Sequence, residues 1–150
     1  MKFKFRLQKL LEHRTRLEET AQRDYMDARA KTVEALRILD EMYRAIDTAR
    51  EDGQRLVRSG SGASALSTIE TFVAGQKIRI ENHRKKIREL KAEEERLQDI
   101  LIEAAKEKKT LEKLKENKRL EFVEEMERRE RLEYDDMAVM RHGRGEGPFR

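Results

Sequence analysis

The sequence contains no cysteine and no tryptophan, and it has a single proline among 150 residues. Without cysteine the chain can form neither a disulfide nor a Cys-based zinc site, and it has no thiolate nucleophile. One proline and seven glycines are too few for the many turns of a β-sandwich or barrel. No apolar run approaches the ~18 residues of a membrane-spanning helix. These absences leave a disordered chain or a long helical one.

Charge is abundant but nearly balanced. Charged residues make up 44% of the chain, with 35 Lys and Arg against 31 Asp and Glu, so the net charge is +4. Disorder favours a high net charge, whereas dense charge of mixed sign is typical of an exposed coiled-coil surface. A nucleic-acid binder is an alternative, but the interleaved acidic residues and the lack of aromatic stacking platforms argue against it.

Two heptad-like patterns predict two long helices, one over about residues 3–57 and one over about residues 66–141. The first pattern places apolar or small residues at Phe3, Leu7, Leu10, Leu17, Ala21, Tyr25, Ala28, Ala35, Leu39, Met42, Ile46 and Ala49. The second runs through Leu66, Ile69, Val73, Ile80, Ile87, Leu90, Leu97, Leu101, Ala104 and Leu111. It continues more loosely to Met137.

A Gly/Ser cluster between the two patterns predicts a turn at about residues 58–65. Two long helices joined by a short connection pack antiparallel. The predicted fold class is therefore all-α, a long antiparallel two-helix coiled-coil hairpin with a longer second helix. Residue i should face about residue 122 − i, which places Phe3 near Arg119 and Leu39 near His83. Residues 1–141 form one domain in this prediction, and the glycine-rich residues 142–150 form a disordered tail.

The sign of the charge changes along the chain. Residues 1–17 hold six Lys or Arg against one Glu, and residues 106–119 hold seven against three. The predicted register brings these two basic segments together. Residues 121–136 hold eight Asp or Glu against three Arg, and they belong to the part of the second helix predicted to extend about 20 residues beyond the first.

The two basic segments form either a solvated surface or an end that binds an acidic partner. An unpaired amphipathic helix either frays, packs in a dimer or binds another protein.

No residue pattern predicts catalysis, a cofactor or a metal site. Each of the three histidines lacks a second His or Cys one turn away. No phosphate-binding glycine loop occurs, and a pair of helices has no concave, water-poor pocket for chemistry. Near the turn, Phe72, Gln76, Arg79 and His83 are spaced i, i+4, i+7 and i+11, which places them on one stripe of the second helix.

The two ends of the chain resemble the FliJ family of flagellar export proteins. The resemblance is carried by residues 1–14, which read MKFKFRLQKLLEHR, and by the Leu-Glu-Glu at 17–19. It continues in the stretch LKENKRLEF at 114–122, in EEMERRE at 124–130 and in LEYDDMA at 132–138. The length of the chain and its predicted hairpin also fit that family.

The resemblance implies a non-enzymatic stalk that inserts into the hexameric flagellar export ATPase, promotes its assembly and contacts the cytoplasmic domain of the export gate protein. It also implies export chaperones as partners, no nucleic acid, no direct membrane insertion, and a cytoplasmic location at the membrane of the flagellar basal body. The gate and chaperone stripe would be Phe72, Gln76, Arg79 and His83, with Gln76 and Arg79 replacing apolar or small residues of the family. The ring end would comprise Lys4, Arg6, Lys9, Arg14, Phe122, Met126 and Arg129.

Two further functions also fit the sequence. One is the equivalent stalk of a virulence-type secretion system, which sequence separates poorly from the flagellar one. The other is a generic structural coiled coil that dimerises along its length.

Overall fold

The computed structural model describes residues 1–60 and 62–145. Two helices account for most of this part of the chain, α1 over Gln8–Arg58 and α2 over Ala63–Gly145. The described residues contain no strand. The predicted all-α class with a longer second helix is therefore confirmed. The chain divides into two compact units. Unit 1 comprises Met1–Leu17 and Ala104–Arg150, and unit 2 comprises Glu18–Glu103.

Both helices are built from strong helix formers, and many of their charges pair within the same helix. Arg37 binds Glu34 and Glu41, one turn away on either side, and Arg96 lies 2.6 Å from Glu93. Exposed pairs of this kind, three or four residues apart, stabilise a helix locally. Much of the high charge content therefore supports the helices locally rather than joining one helix to the other.

The core of unit 2 is a narrow seam between the two helices. Ala21, Ala28 and Ala35 recur every seven residues on α1 and are all buried, Ala35 being only 3% exposed. Ile80 and Ile87 are the buried apolar residues of α2 in this unit. Small side chains at heptad spacing bring the backbone of α1 within reach of side chains from α2. This close approach decides which polar contacts can cross the seam.

Two hydrogen bonds show that the helices of unit 2 run antiparallel. The Gln76 side-chain amide donates to the carbonyl oxygen of Met42 at 3.2 Å, and Nε2 of His83 lies 2.7 Å from the carbonyl oxygen of Ala35. A carbonyl in a helix points towards the C-terminus of that helix. The oxygen of Ala35 therefore lies about half a turn beyond the Cα atom of Ala35 along α1. That level is close to Leu39, the residue that the predicted register places opposite His83.

The ends of the elements differ from the predicted ones. The first helix begins at Gln8 rather than at residue 3. The second begins at Ala63 rather than at about residue 66, because the amide of Ala65 already bonds the carbonyl of Gly62 at 3.2 Å. It continues through residues 142–145, where Arg144 provides the positive charge that favours a helix C-terminus. Residues 146–150 of the predicted tail, like Ser61 in the turn, lie outside the described residues.

The turn after α1 depends on a left-handed glycine. Gly60 has a φ of 77°, and its amide bonds the carbonyl of Val57 at 3.2 Å. Glycine adopts this conformation without steric cost, whereas an L-residue there costs about 1–2 kcal/mol. The Gly/Ser cluster thus ends α1 in the way the sequence predicts.

Replacing Gly60 with alanine should lower the free energy of unfolding by about 1 kcal/mol, because alanine is strained at positive φ. Gly62→Ala is the matched control, since Gly62 has no positive φ and a Cβ there meets nothing within 4 Å. Urea unfolding followed by circular dichroism measures both variants. Equal stabilities would show that the turn does not depend on the conformation of Gly60.

Candidate interaction sites

The first seven residues precede α1 and pack on α2 in unit 1. Residues 1–5 have no regular secondary structure, and residues 6–7 form a turn in which the amide of Gln8 bonds the carbonyl of Phe5 at 3.1 Å. Phe3, Phe5 and Leu7 are half-buried, whereas the basic residues between them are exposed. The rings of Phe3 and Phe122 have centroids 5.7 Å apart. A two-residue alternation of apolar and basic side chains does not follow the 3.6-residue period of a helix, and it was the sequence signal that the heptad interpretation overlooked.

A groove of about 700 Å³ lies between this segment and α2; we call it the N-terminal groove. Its apolar lining comprises Phe3, Phe5, Leu7, Leu114 and Phe122, and its charged lining comprises Lys4, Arg6, Lys118, Glu121 and Glu125. The structure therefore brings together Lys4, Arg6 and Phe122, three of the residues predicted for the ring end.

Several cations of unit 1 lack an acidic partner in the described part of the chain. No carboxylate oxygen lies within 4.0 Å of the charged groups of Lys2, Lys4, Arg6, Lys9, Arg16, Lys106, Lys109, Lys113 or Lys115. Arg14 differs, since its guanidinium contacts Glu107 of α2 at 2.5 Å. Both side chains of that pair are partly exposed, so it contributes at most about 1 kcal/mol. The predicted basic end is thus present, with Arg14 engaged in a contact between the helices.

The last part of α2, residues 127–144, is exposed along its whole length; we call it the overhang. It carries several large apolar side chains in contact with solvent, namely Leu132, Tyr134, Met137, Val139 and Met140. Tyr134 is 71% exposed, so its ring has little packing against this chain. The predicted extension of the second helix beyond the first is therefore present within unit 1.

Just before the overhang, Glu125 binds Arg128 at 2.7 Å and Arg129 at 3.3 Å. The hydrogen bond from Arg128, followed by the charge of that guanidinium and the contacts of Arg129, lowers the pKa of the Glu125 carboxyl from about 4.5 to about 2. Arg129, a predicted ring-end residue, is thus paired within its own helix. Met126, another of them, is half-buried.

In unit 2 the predicted docking stripe divides into an accessible pair and a covered pair. Phe72 is 40% exposed, and Arg79 is exposed with its guanidinium close to Gly75. Gln76 is only 8% exposed, and both it and His83 bond the backbone of α1. The Nε2 atom of His83 carries the proton in this contact, because a carbonyl oxygen only accepts. A partner approaching the closed helix pair therefore meets Phe72 and Arg79 first.

The two covered residues form a heptad-spaced clamp. Gln76 and His83 are seven residues apart, and so are the carbonyls of Met42 and Ala35 to which they bond. Polar groups at seam positions disfavour a shift of fewer than seven residues, because such a shift leaves them buried without partners. The next carbonyl in the same series, that of Ala28, accepts the hydroxyl of Thr32 at 3.1 Å. A shift of one heptad towards the start of α1 would therefore bring His83 to a carbonyl that Thr32 already engages.

Among the described residues, no three His, Asp or Glu side chains are placed to hold a metal ion together. In that same part of the chain, neither helix has a stretch long and apolar enough to cross a bilayer.

Replacing Gln76 and His83 with leucine should loosen the register while leaving the free energy of unfolding within about 1 kcal/mol of its original value, because apolar contacts offset the lost bonds. The chain has no cysteine, so engineered thiols report register directly. Leu39→Cys with Ile80→Cys should cross-link in register, and Leu39→Cys with Val73→Cys should cross-link only after the heptad shift that brings His83 to the carbonyl of Ala28, which Thr32 already engages.

The shifted cross-link should rise from a trace to a substantial fraction in the leucine variant. Lys77→Leu with Arg84→Leu serves as the control, since both side chains are exposed outside the seam. An unchanged cross-linking pattern would show that the clamp does not set the register.

A comparison with protein-family models matches the flagellar FliJ protein family over residues 3–147. The comparisons with curated proteins and with solved structures gave no significant match. The family match spans nearly the whole chain, including both ends that carry the sequence resemblance. A FliJ protein is a component of flagellar type III protein export rather than a known enzyme. The chain belongs to the FliJ family of flagellar proteins.

Proposed function

We propose that this chain is the central stalk of the flagellar export apparatus, with unit 1 inserted into the hexameric export ATPase ring. In this role it promotes assembly and activity of the ring, and it links the ring to the export gate and to substrate chaperones. It acts in the cytoplasm at the membrane of the flagellar basal body. All nucleotide chemistry belongs to the ring.

The observation that carries this proposal is the asymmetry of unit 1. It presents exposed cations that have no acidic partner in the described chain on one part, and a solvent-exposed helical segment with large apolar side chains on another. A charged surface of this kind binds a partner of opposite charge and fixes its orientation. A stalk with unlike faces contacts the subunits of a ring unequally, so it favours different nucleotide states in different subunits. The mechanism is thus mechanical and allosteric.

Reversing Lys4, Arg6 and Lys9 to glutamate should reduce stimulation of the ATPase about tenfold or more, because three unpaired cations become repulsive. Arg14 is left unchanged because its reversal would also place two carboxylates together at Glu107. The measurement is ATP hydrolysis and ring assembly with the cognate export ATPase.

The matched control reverses Lys85, Arg88 and Lys91, three exposed cations of unit 2. It changes the net charge equally and should leave stimulation unaltered. Full stimulation by the Lys4, Arg6 and Lys9 variant, with normal helicity, would exclude unit 1 as the end that enters the ring.

The accessible pair of the stripe is our proposed contact with the cytoplasmic domain of the export gate. Phe72 offers an apolar anchor and Arg79 a charged neighbour, and exposed aromatic and arginine side chains are frequent anchors of interfaces. Gln76 and His83 support this surface by holding α2 in register. The covered pair therefore acts indirectly in this proposal.

Phe72→Ala with Arg79→Ala should weaken binding to the gate domain about tenfold or more while ATPase stimulation and helicity stay unchanged. Calorimetry with the isolated gate domain measures the affinity. Ile78→Ala, at a more exposed apolar residue of the same helix, is the control and should bind normally. Equal affinities for the double variant and the original chain would place the gate contact elsewhere.

A further inference from the structure

The end of unit 2 next to the turn has a thinner seam than the rest of that unit; we call it the turn end, residues 47–58 of α1 and 63–75 of α2. We propose that the two helices separate at the turn end while they stay paired beyond Gln76, so that unit 2 exists as a closed pair and a partly open pair. The separation stands on the packing of this chain alone. Only its consequence for binding of the export gate rests on the proposed function.

One row of seam residues on α1 ends in a glycine. Thr32, Leu39 and Ile46 follow each other at seven-residue spacing and are buried or half-buried, and the next residue of the row is Gly53. Gly53 is the one buried residue of the turn end, all of whose residues the structure describes, and it has no side chain to bury. The seam therefore lacks the apolar contact that Ile46, only 5% exposed, makes one heptad earlier. Because apolar burial is the main favourable contribution to packing, the helices are held together less strongly here.

A groove of about 590 Å³ lies where that side chain is missing. Its apolar lining comes from both helices, with Gly53 and Val57 on α1 and Leu66, Ile69 and Val73 on α2. A Cβ atom placed on Gly53 meets the side chain of Ile69 at 3.5 Å and that of Leu66 at 3.6 Å, which is ordinary van der Waals contact. The seam therefore has room here for a methyl group that would join the two helices.

No polar contact of side chains offsets the weak apolar packing. In the described chain, neither an ion pair nor a side-chain hydrogen bond joins the α1 part of the turn end to its α2 part. Arg55 pairs within α1, and the hydroxyls of Thr68 and Thr71 bond carbonyls of α2. The next bond along the pair that does cross the seam is the one from Gln76 to a carbonyl of α1. Separation of the helices should therefore stop at Gln76.

Separation uncovers apolar side chains beside Phe72. Ile69, Phe72 and Val73 are spaced i, i+3 and i+4, which places them on one face of α2. In the closed pair Phe72 is 40% exposed, whereas Ile69 and Val73 are half-buried. In the open pair all three form one apolar face, the feature by which amphipathic helices bind grooves. Within the proposed function, the export gate binds the open pair, so closing the turn end lowers the affinity for the gate.

Pulsed electron paramagnetic resonance between two spin labels measures the separation in the full chain, whose lack of cysteine restricts the labels to chosen sites. Glu51→Cys with Thr68→Cys places them on exposed positions across the turn end. Ala30→Cys with Glu89→Cys is the matched control, because both positions are exposed and each is displaced by 21 residues, or three heptads, along its helix. The control pair should give one narrow distance distribution. The turn-end pair should give a similar distance together with a second, longer one.

Replacing Gly53 with alanine should reduce the ratio of open to closed pairs about threefold to fourfold, because the added methyl group is buried only in the closed pair. Gly62→Ala is the control, since a Cβ there meets nothing within 4 Å, and it should leave the ratio unchanged. In calorimetry with the isolated gate domain, Gly53→Ala should raise the dissociation constant by the same factor, because fewer chains are then in the state that binds.

Single, equally narrow distance distributions for both label pairs would overturn the proposal. So would an open fraction that Gly53→Ala leaves unaltered. A reduced open fraction with an unchanged affinity for the gate domain would overturn the consequence for gate binding, since the closed pair would then be the form that binds. Because the distance measurements contain no other protein, their failure is distinguishable from a failure of the proposed function.

Discussion

The close approach of the two helices in unit 2 is the contact on which the other features of that unit depend. It is possible because alanine recurs every seven residues along α1, so that the α1 backbone itself is reached by side chains of α2. No large side chain of the described chain is fully buried. With such a thin core, apolar burial alone discriminates poorly between alternative registers. The hydrogen bonds of Gln76 and His83 to α1 carbonyls provide that discrimination.

Charge has two different roles in this molecule. Exposed pairs three or four residues apart stabilise the helices locally, as Arg128 and Glu125 do just before the overhang. Such pairs neutralise their own charge and leave little for a partner. The cations of the N-terminal segment have no carboxylate partner among the described residues. These cations are therefore available to a binding partner.

The residues of the predicted stripe share a helix but differ in environment. A periodicity places Phe72, Gln76, Arg79 and His83 on one face without showing which of them a second helix covers. In the structure Gln76 and His83 contact α1, whereas Phe72 and Arg79 remain accessible. A role in docking is therefore direct for the exposed pair and indirect for the covered pair. The two roles differ in whether a substitution changes the register or only the surface.

The sequence by itself determined the two helices, the glycine turn between them, the antiparallel packing and the change of sign along the chain. These properties follow from local propensity and from periodicity over many turns, so they are robust to small errors in register. It also carried the family resemblance, through the two ends of the chain. The tertiary structure alone decided that α1 begins only at Gln8 and that residues 1–7 pack outside it, because a short apolar stretch fits both a heptad and a two-residue alternation. It also decided which charges find partners and which polar residues are covered, since both depend on the surfaces that meet when the helices pack.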